Sequence, residues 1–247
     1  MPGTVSGGTK KARQARDSLS PVAPGYLKAI RLTGIIAIVA AVTGALADLI
    51  LQYSPNSAHL YVESLIALDV SPERLLVGHY LGVAAILAEV AGFWQVYRAL
   101  EPAGERVALS YFLINAIGAA VGAVFHATFV FVALAARAQQ AASGATYQAF
   151  ANLLAEFSAP RIGLLTVAAF GIVAGSLWFV VAVAFRHTSY PRWMAAFTPL
   201  TFVVLFGLAA RLVPPLALVI APAALNLSHL AFFAISTVTL WNTGGRN

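Results

Sequence analysis

The sequence predicts an all-α integral membrane bundle of about six transmembrane helices, with short external amphipathic helices. Three observations carry that expectation. Six apolar runs fill most of the 247 residues, and a helix needs roughly 20 such residues to cross a hydrocarbon layer. Charged residues make up 10% of the chain and hydrophobic ones 60%, whereas a soluble domain carries about 25% charged residues. The few ionisable groups inside the runs sit beside stripes of small residues.

The first run, 28–53, reads KAIRLTGIIAIVAAVTGALADLILQY. Residues 1–26 before it are polar, basic and rich in Gly, Ser and Pro. They bury too little apolar surface to order themselves and read as a disordered cytoplasmic tail. The run itself is too long for a signal-peptide core, and no A-x-A-like site ends it, so it is expected to stay as a helix. A single transmembrane domain then covers 27–242. Its later spans are 75–99, 107–136, 161–185, 193–211 and 214–241. The connections 54–74 and 137–160 are longer than turns. Leu60, Leu65 and Leu68 in one, and Tyr147, Phe150 and Leu154 in the other, predict short amphipathic helices on the outer surface. Pro160 would punctuate the start of the fourth span.

An even number of spans puts both termini on one side. Of the 15 Lys and Arg residues, only Arg74, Arg137, Arg161 and Arg211 fall on the opposite side. Basic residues favour the cytoplasm, which predicts a cell-membrane protein with both termini inside. The same flanking role accounts for the pI near 9.9. No basic patch interleaved with aromatics points to nucleic acid. The absence of cysteine excludes disulfides, thiol catalysis and iron–sulfur clusters.

Small residues let helix backbones approach in lipid. Gly34, Ala37, Ala41 and Gly44 lead to Asp48 in the first span. Gly78, Gly82 and Ala85 lead to Glu89 in the second, beside His79. Gly118 and Gly122 run with Asn115 and His126 in the third. Intervals of three and four residues keep each set on one helix face. The stripes should face the bundle interior, so Asp48, Glu89, His79 and His126 are expected to share a polar pocket. It would open outward, with Glu89 at its floor. Asn226 and His229 fall near the middle of the last span, and Arg161 at the outer mouth of the fourth. An ionisable group in hydrocarbon is costly and is a functional candidate by default.

No H-E-x-x-H pair or metal-ligand cluster occurs, so no metal is expected. His79 and His126 meet the depth requirement for two axial haem groups, but no cofactor is predicted. Retinal is disfavoured, because Lys28 is the last lysine and stands at the start of the first span. No nucleophile elbow and no phosphate-binding glycine loop appears.

The strings RLTGIIAIVAAVTGALADLIL, GFWQVYRAL, GAVFHATF, YPRWMAAFTPL and NLSHLAFFAISTVTLW are spread over residues 30–241. Together they resemble a family of uncharacterised bacterial multi-pass membrane proteins catalogued only as a domain of unknown function. The resemblance implies about six spans and transfers no activity.

Two functional classes follow from the residues. The leading one is an intramembrane acid/base enzyme, an isomerase or cyclase, acting on a lipophilic substrate. Glu89 or Asp48 would be the acid and His79 or His126 its partner. Trp94, Asn226, His229 and Arg161 would bind the substrate, with Tyr80, Phe125 and Trp178 as further lining candidates. The other class is a proton-coupled transporter or a lipid-binding protein without chemistry, since carriers also bury Asp, Glu and His. In both, the partners are membrane lipids and a lipophilic small molecule.

Overall fold

The computed structural model describes residues 24–56 and 62–241, which form helices and short connections without a strand. The basic tail lies outside the described residues up to position 23. Eight α-helices follow: α1 (Pro24–Gln52), α2 (Glu63–Asp69), α3 (Pro72–Ala88), α4 (Val90–Leu100), α5 (Glu105–Ala141), α6 (Gly144–Phe185), α7 (Pro199–Leu212) and α8 (Pro214–Leu240). Five stretches are long and apolar enough to cross a membrane: Gly25–Gln52, Pro72–Ala103, Glu105–Ala141, Gly144–Phe185 and Pro214–Leu240. The chain is an all-α membrane bundle.

The run at 193–211 yields a shorter helix than its hydropathy suggests. A 3₁₀ turn occupies Arg192–Ala196, and α7 has 14 residues, about 21 Å at ~1.5 Å per residue. Prolines set both limits. Pro199 opens α7, where its missing N–H is harmless, and Pro214 and Pro215 open α8 directly after it.

The external segments also differ from expectation. Residues 144–160 are not a separate surface helix. They continue into the fourth span as one helix of 42 residues that contains Pro160. With the 37 residues of α5, this makes a helical hairpin about 55–63 Å long, which outruns the ~30 Å hydrocarbon layer. Proline removes a single backbone bond. Packing along α5 holds the helix through that gap, including the Phe131–Phe157 ring contact at 5.8 Å. In the first segment, α2 buries Ile66 and Ala67 rather than Leu65. Leu60 lies outside the described residues.

Two apolar cores divide the bundle. At the terminal end, where α1 begins and α8 ends, Phe93, Tyr111, Phe179, Phe232 and Phe233 pack together. The Trp241 carbonyl accepts from Arg31 Nη2 at 2.7 Å, which joins the first and last helices there. Gln95 binds Thr237 and Ser236 in the same half, and Ser236 meets the hydroxyl of buried Tyr190 at 2.7 Å. Burial pushes that phenol above its ordinary pKa. At the hairpin end, Ile66, Ala67 and Val70 of the α2 region pack on Leu51, Phe129, Val130 and Ala133. Arg74 closes α1 there by donating to the carbonyls of Ile50 and Tyr53 at 2.9 and 3.0 Å; these belong to the carbonyls a helix end leaves without partners. The space between the two cores holds the site.

Candidate functional site

A cavity of about 240 Å³ lies between the cores. Leu51 and Phe129 line it from one core and Phe93 from the other. Most of its wall is apolar. Asp48, Glu89, Asn115, His126, Arg161, Asn226 and His229 are its ionisable and amide groups apart from Gln52. Six of the eight residues singled out from the sequence therefore reach one cavity.

Two carboxyl–imidazole pairs organise it. Asp48 closes the glycine stripe of α1 and is 6% exposed. Its Oδ1 lies 3.3 Å from His126 Nδ1, and its Oδ2 accepts from Asn226 Nδ2 at 2.6 Å. The far nitrogen of His126, Nε2, is 3.1 Å from the Gly78 carbonyl. A carbonyl oxygen only accepts, so Nε2 carries a hydrogen.

Glu89 stands at the joint between α3 and α4. There the Glu89 carbonyl accepts from the Gly92 N–H at 2.8 Å as well as from the Phe93 N–H at 3.3 Å, a tight turn added to the regular ladder. The side chain is 1% exposed. Its Oε2 meets His229 Nδ1 at 2.6 Å. Its Oε1 is buried without a hydrogen-bond partner among the described residues. Phe93, four residues on and so on the same face, packs edge-on against the His229 ring at 5.6 Å.

Helix α8 couples the pairs. Asn226 and His229 are three residues apart, on one face. One binds Asp48 and the other binds Glu89. His229, expected to bind substrate, lines the cavity and is also the hydrogen-bond partner of Glu89.

The glycine stripes make room for these side chains. A Cβ on Gly82 would lie 2.1 Å from His126 Nε2. One on Gly44 would lie 2.5 Å from Asn226 Oδ1, and one on Gly175 would lie 2.6 Å from Asn115 Nδ2. Backbone approach, the expected role, is seen at Gly171, whose Cβ would meet the Gly118 Cα at 3.3 Å.

Arg161 is 3% exposed, well inside the mouth expected for it. It forks onto Glu63, with Nε to Oε2 at 2.9 Å and Nη2 to Oε1 at 2.6 Å. Its Nη1 reaches the Phe125 carbonyl and Thr128 Oγ1, both at 2.6 Å. The guanidinium lies 4.3 Å above the Phe125 ring. Glu63 was not legible as a site residue, since nothing local marks it among other acidic loop residues. This clamp ties α2 to Arg161 at the hairpin end of the cavity.

Two expectations fail on geometry. His79 does not line the cavity. It is one residue, or about 100° of helix rotation, past Gly78. Its ring packs edge-on against Tyr80 at 4.8 Å, and its Nδ1 is buried without a partner among the described residues. Trp94 is also elsewhere, beneath the Arg98 guanidinium at 5.6 Å, and the adjacent Phe93 takes the cavity wall. Of the further lining candidates only Phe125 reaches it. Among the described residues no group of three or more His, Cys, Asp or Glu is placed to hold a metal ion. Both ring nitrogens of His126 are engaged by protein.

A family model described as "Family of unknown function (DUF6796)" matches residues 24–243. No curated protein and no solved structure matches the chain.

Proposed function

The chain belongs to this family of unknown function, and we propose from its buried site that it catalyses proton transfer on a small lipophilic molecule, as an isomerase or cyclase does. One observation carries the reading. The Glu89 carboxyl lines an apolar cavity with one oxygen on His229 and the other without a partner among the described residues. A buried polar atom left alone costs about 1–3 kcal/mol. A purely structural carboxyl would be expected to have both oxygens satisfied.

The chemistry follows from the two pairs. Glu89 Oε1 delivers a proton to a carbon of the guest, and His229 refills the carboxyl through Oε2. A second C–H bond breaks at the position facing Asp48 and His126, which take that proton. One C–H bond forms and one breaks, so a double bond moves without net oxidation. Proton transfer by a positioned side chain is worth roughly 10²–10⁴-fold in rate. The cavity is smaller than the ~300–1,000 Å³ of drug-sized sites, which favours a compact guest. The basic-residue bias supports placing both termini in the cytoplasm of a cell-membrane protein, with the α5–α6 turn outside.

The test uses purified protein in lipid nanodiscs. Lipophilic molecules that copurify are extracted, identified by mass and returned in D₂O. Wild type should place deuterium on carbon, and Glu89→Gln should not. Retention of the molecule without exchange in wild type would refute catalysis.

Transport is the second reading, and a specific feature favours it. The turn at Glu89 between α3 and α4 and Pro222 inside α8 both border the cavity, and an internal proline is a common site for a helix to kink. Proton uptake coupled to solute flux in sealed vesicles, without deuterium exchange, would select it.

A further inference from the structure

We infer that the cavity is loaded sideways from the hydrocarbon layer, through an apolar portal between α6 and α8 whose posts are Leu165 and Leu225. The inference rests on the same cavity as the proposed function and deepens it: the ligand is dissolved in the membrane, not delivered from water.

Leu165 and Leu225 both line the cavity, yet they are 44% and 39% exposed. A side chain that belongs to an interior wall and also to the outer surface marks where the two meet. The helices around it explain the gap. The main partner of α6 is α5, while α8 packs chiefly on α1 and α7. No extensive contact joins α6 to α8 directly.

The surroundings of this gap are apolar. Ile162, three residues from Leu165 on α6, is 70% exposed, and Ala221 and Pro222, one turn before Leu225 on α8, line the cavity beside it. Such a surface within the apolar spans faces lipid. A charged or strongly polar guest would have to shed its water to pass here, at a cost of several kcal/mol. A hydrocarbon-like guest sheds none. Among the described residues, Phe93 and Phe233 pack at the terminal side of the cavity, and at its hairpin side Arg161 is held by Glu63 of α2.

The experiment follows access and not turnover. The full chain in phosphatidylcholine vesicles is irradiated with a small apolar aryl diazirine dissolved in the lipid, and adducts are mapped by peptide mass spectrometry. A charged, water-soluble diazirine serves in parallel. In wild type the lipid-borne probe should mark Ile86 and Phe93 inside the cavity as well as Phe170 outside. L165W/L225W should lose the marks at Ile86 and Phe93 and keep the mark at Phe170, which reports correct insertion. L165A/L225A should mark Ile86 and Phe93 more heavily than wild type. Should the tryptophan pair fail to insert, the alanine pair decides alone: a gain supports the portal and no gain overturns it. Marking of the cavity by the water-soluble probe only, or equally in wild type and a well-inserted L165W/L225W, also overturns it. Loading through the portal without deuterium exchange would keep this inference and sink the acid/base reading.

Discussion

His229 Nδ1 and Glu89 Oε2 meet at 2.6 Å across 140 residues of sequence. The contact joins the last helix to the joint between α3 and α4. At that distance one proton lies between the two atoms, so each side chain depends on the other for its hydrogen bond.

That dependence gives the first prediction. Glu89→Ala and His229→Ala each leave a buried polar partner alone, and each should cost about 1–3 kcal/mol of stability. The double variant should lose less than the sum, with a coupling of about 0.5–3 kcal/mol. Unfolding in mixed detergent measures all three. Strict additivity would mean that the pair does not interact. Glu89→Gln, nearly the same shape, should insert normally and lose only proton transfer.

The second concerns His126. Because the Gly78 carbonyl holds Nε2, that nitrogen should stay protonated throughout the pH range in which the protein is folded. Nitrogen-15 NMR of histidine-labelled protein reads this directly. Asp48→Asn should alter the Nδ1 signal and leave Nε2 protonated. A bare Nε2 would contradict the assignment.

Gly82→Ala is the third. Its methyl would stand 2.1 Å from His126 Nε2, so the ring must leave Gly78. Overpacking of this kind costs about 1–3 kcal/mol. Gly163 has nothing within 4 Å of an added Cβ, and Gly163→Ala should be neutral or gain about 0.5–1 kcal/mol from helix propensity. Melting temperatures of the two variants should move apart. Equal shifts would show that the space beside His126 is not tight.

The fourth tests the clamp. Lysine cannot reproduce a two-pronged guanidinium contact. Arg161→Lys should therefore loosen α2 from the bundle. Hydrogen exchange of residues 63–70 should quicken, while that of the Phe179–Phe232 core stays unchanged. Unchanged protection of 63–70 would mean that Ile66 and Val70 hold α2 without the ion pair.

The fifth fixes orientation. The chain has no native cysteine, so a single introduced thiol is read without background. Ser6→Cys should resist an impermeant maleimide in intact cells and react after lysis. Labelling from outside would invert the topology.

Much of this arrangement is written along the chain. Apolar runs longer than any soluble helix requires place the spans, because hydrocarbon forces backbone groups to bond within one helix. Stripes of glycine at intervals of three and four mark inward faces, and Asp48, Glu89 and His126 share those faces. Asn226 and His229 stand on one face of α8 for the same periodic reason. These are properties of single helices, legible from spacing alone.

What the tertiary structure decided is which groups touch. Glu89 chose His229 over His79 or His126, and Asp48 chose His126 and Asn226, because helix rotation and depth are set by packing between elements. Rotation of about 100° per residue separates Gly78 from His79 and Phe93 from Trp94, enough to remove His79 and Trp94 from the cavity. Pro160, expected to end a helix, lies inside one because α5 supports both sides of it. Glu63 reaches Arg161 across 98 residues, a distance over which no local pattern operates. The sequence by itself determined the all-α membrane class, five of the six expected spans and the inward faces of those helices. Side-chain volume and helix-to-helix contact determined how those faces combine into one cavity, and where it meets the membrane.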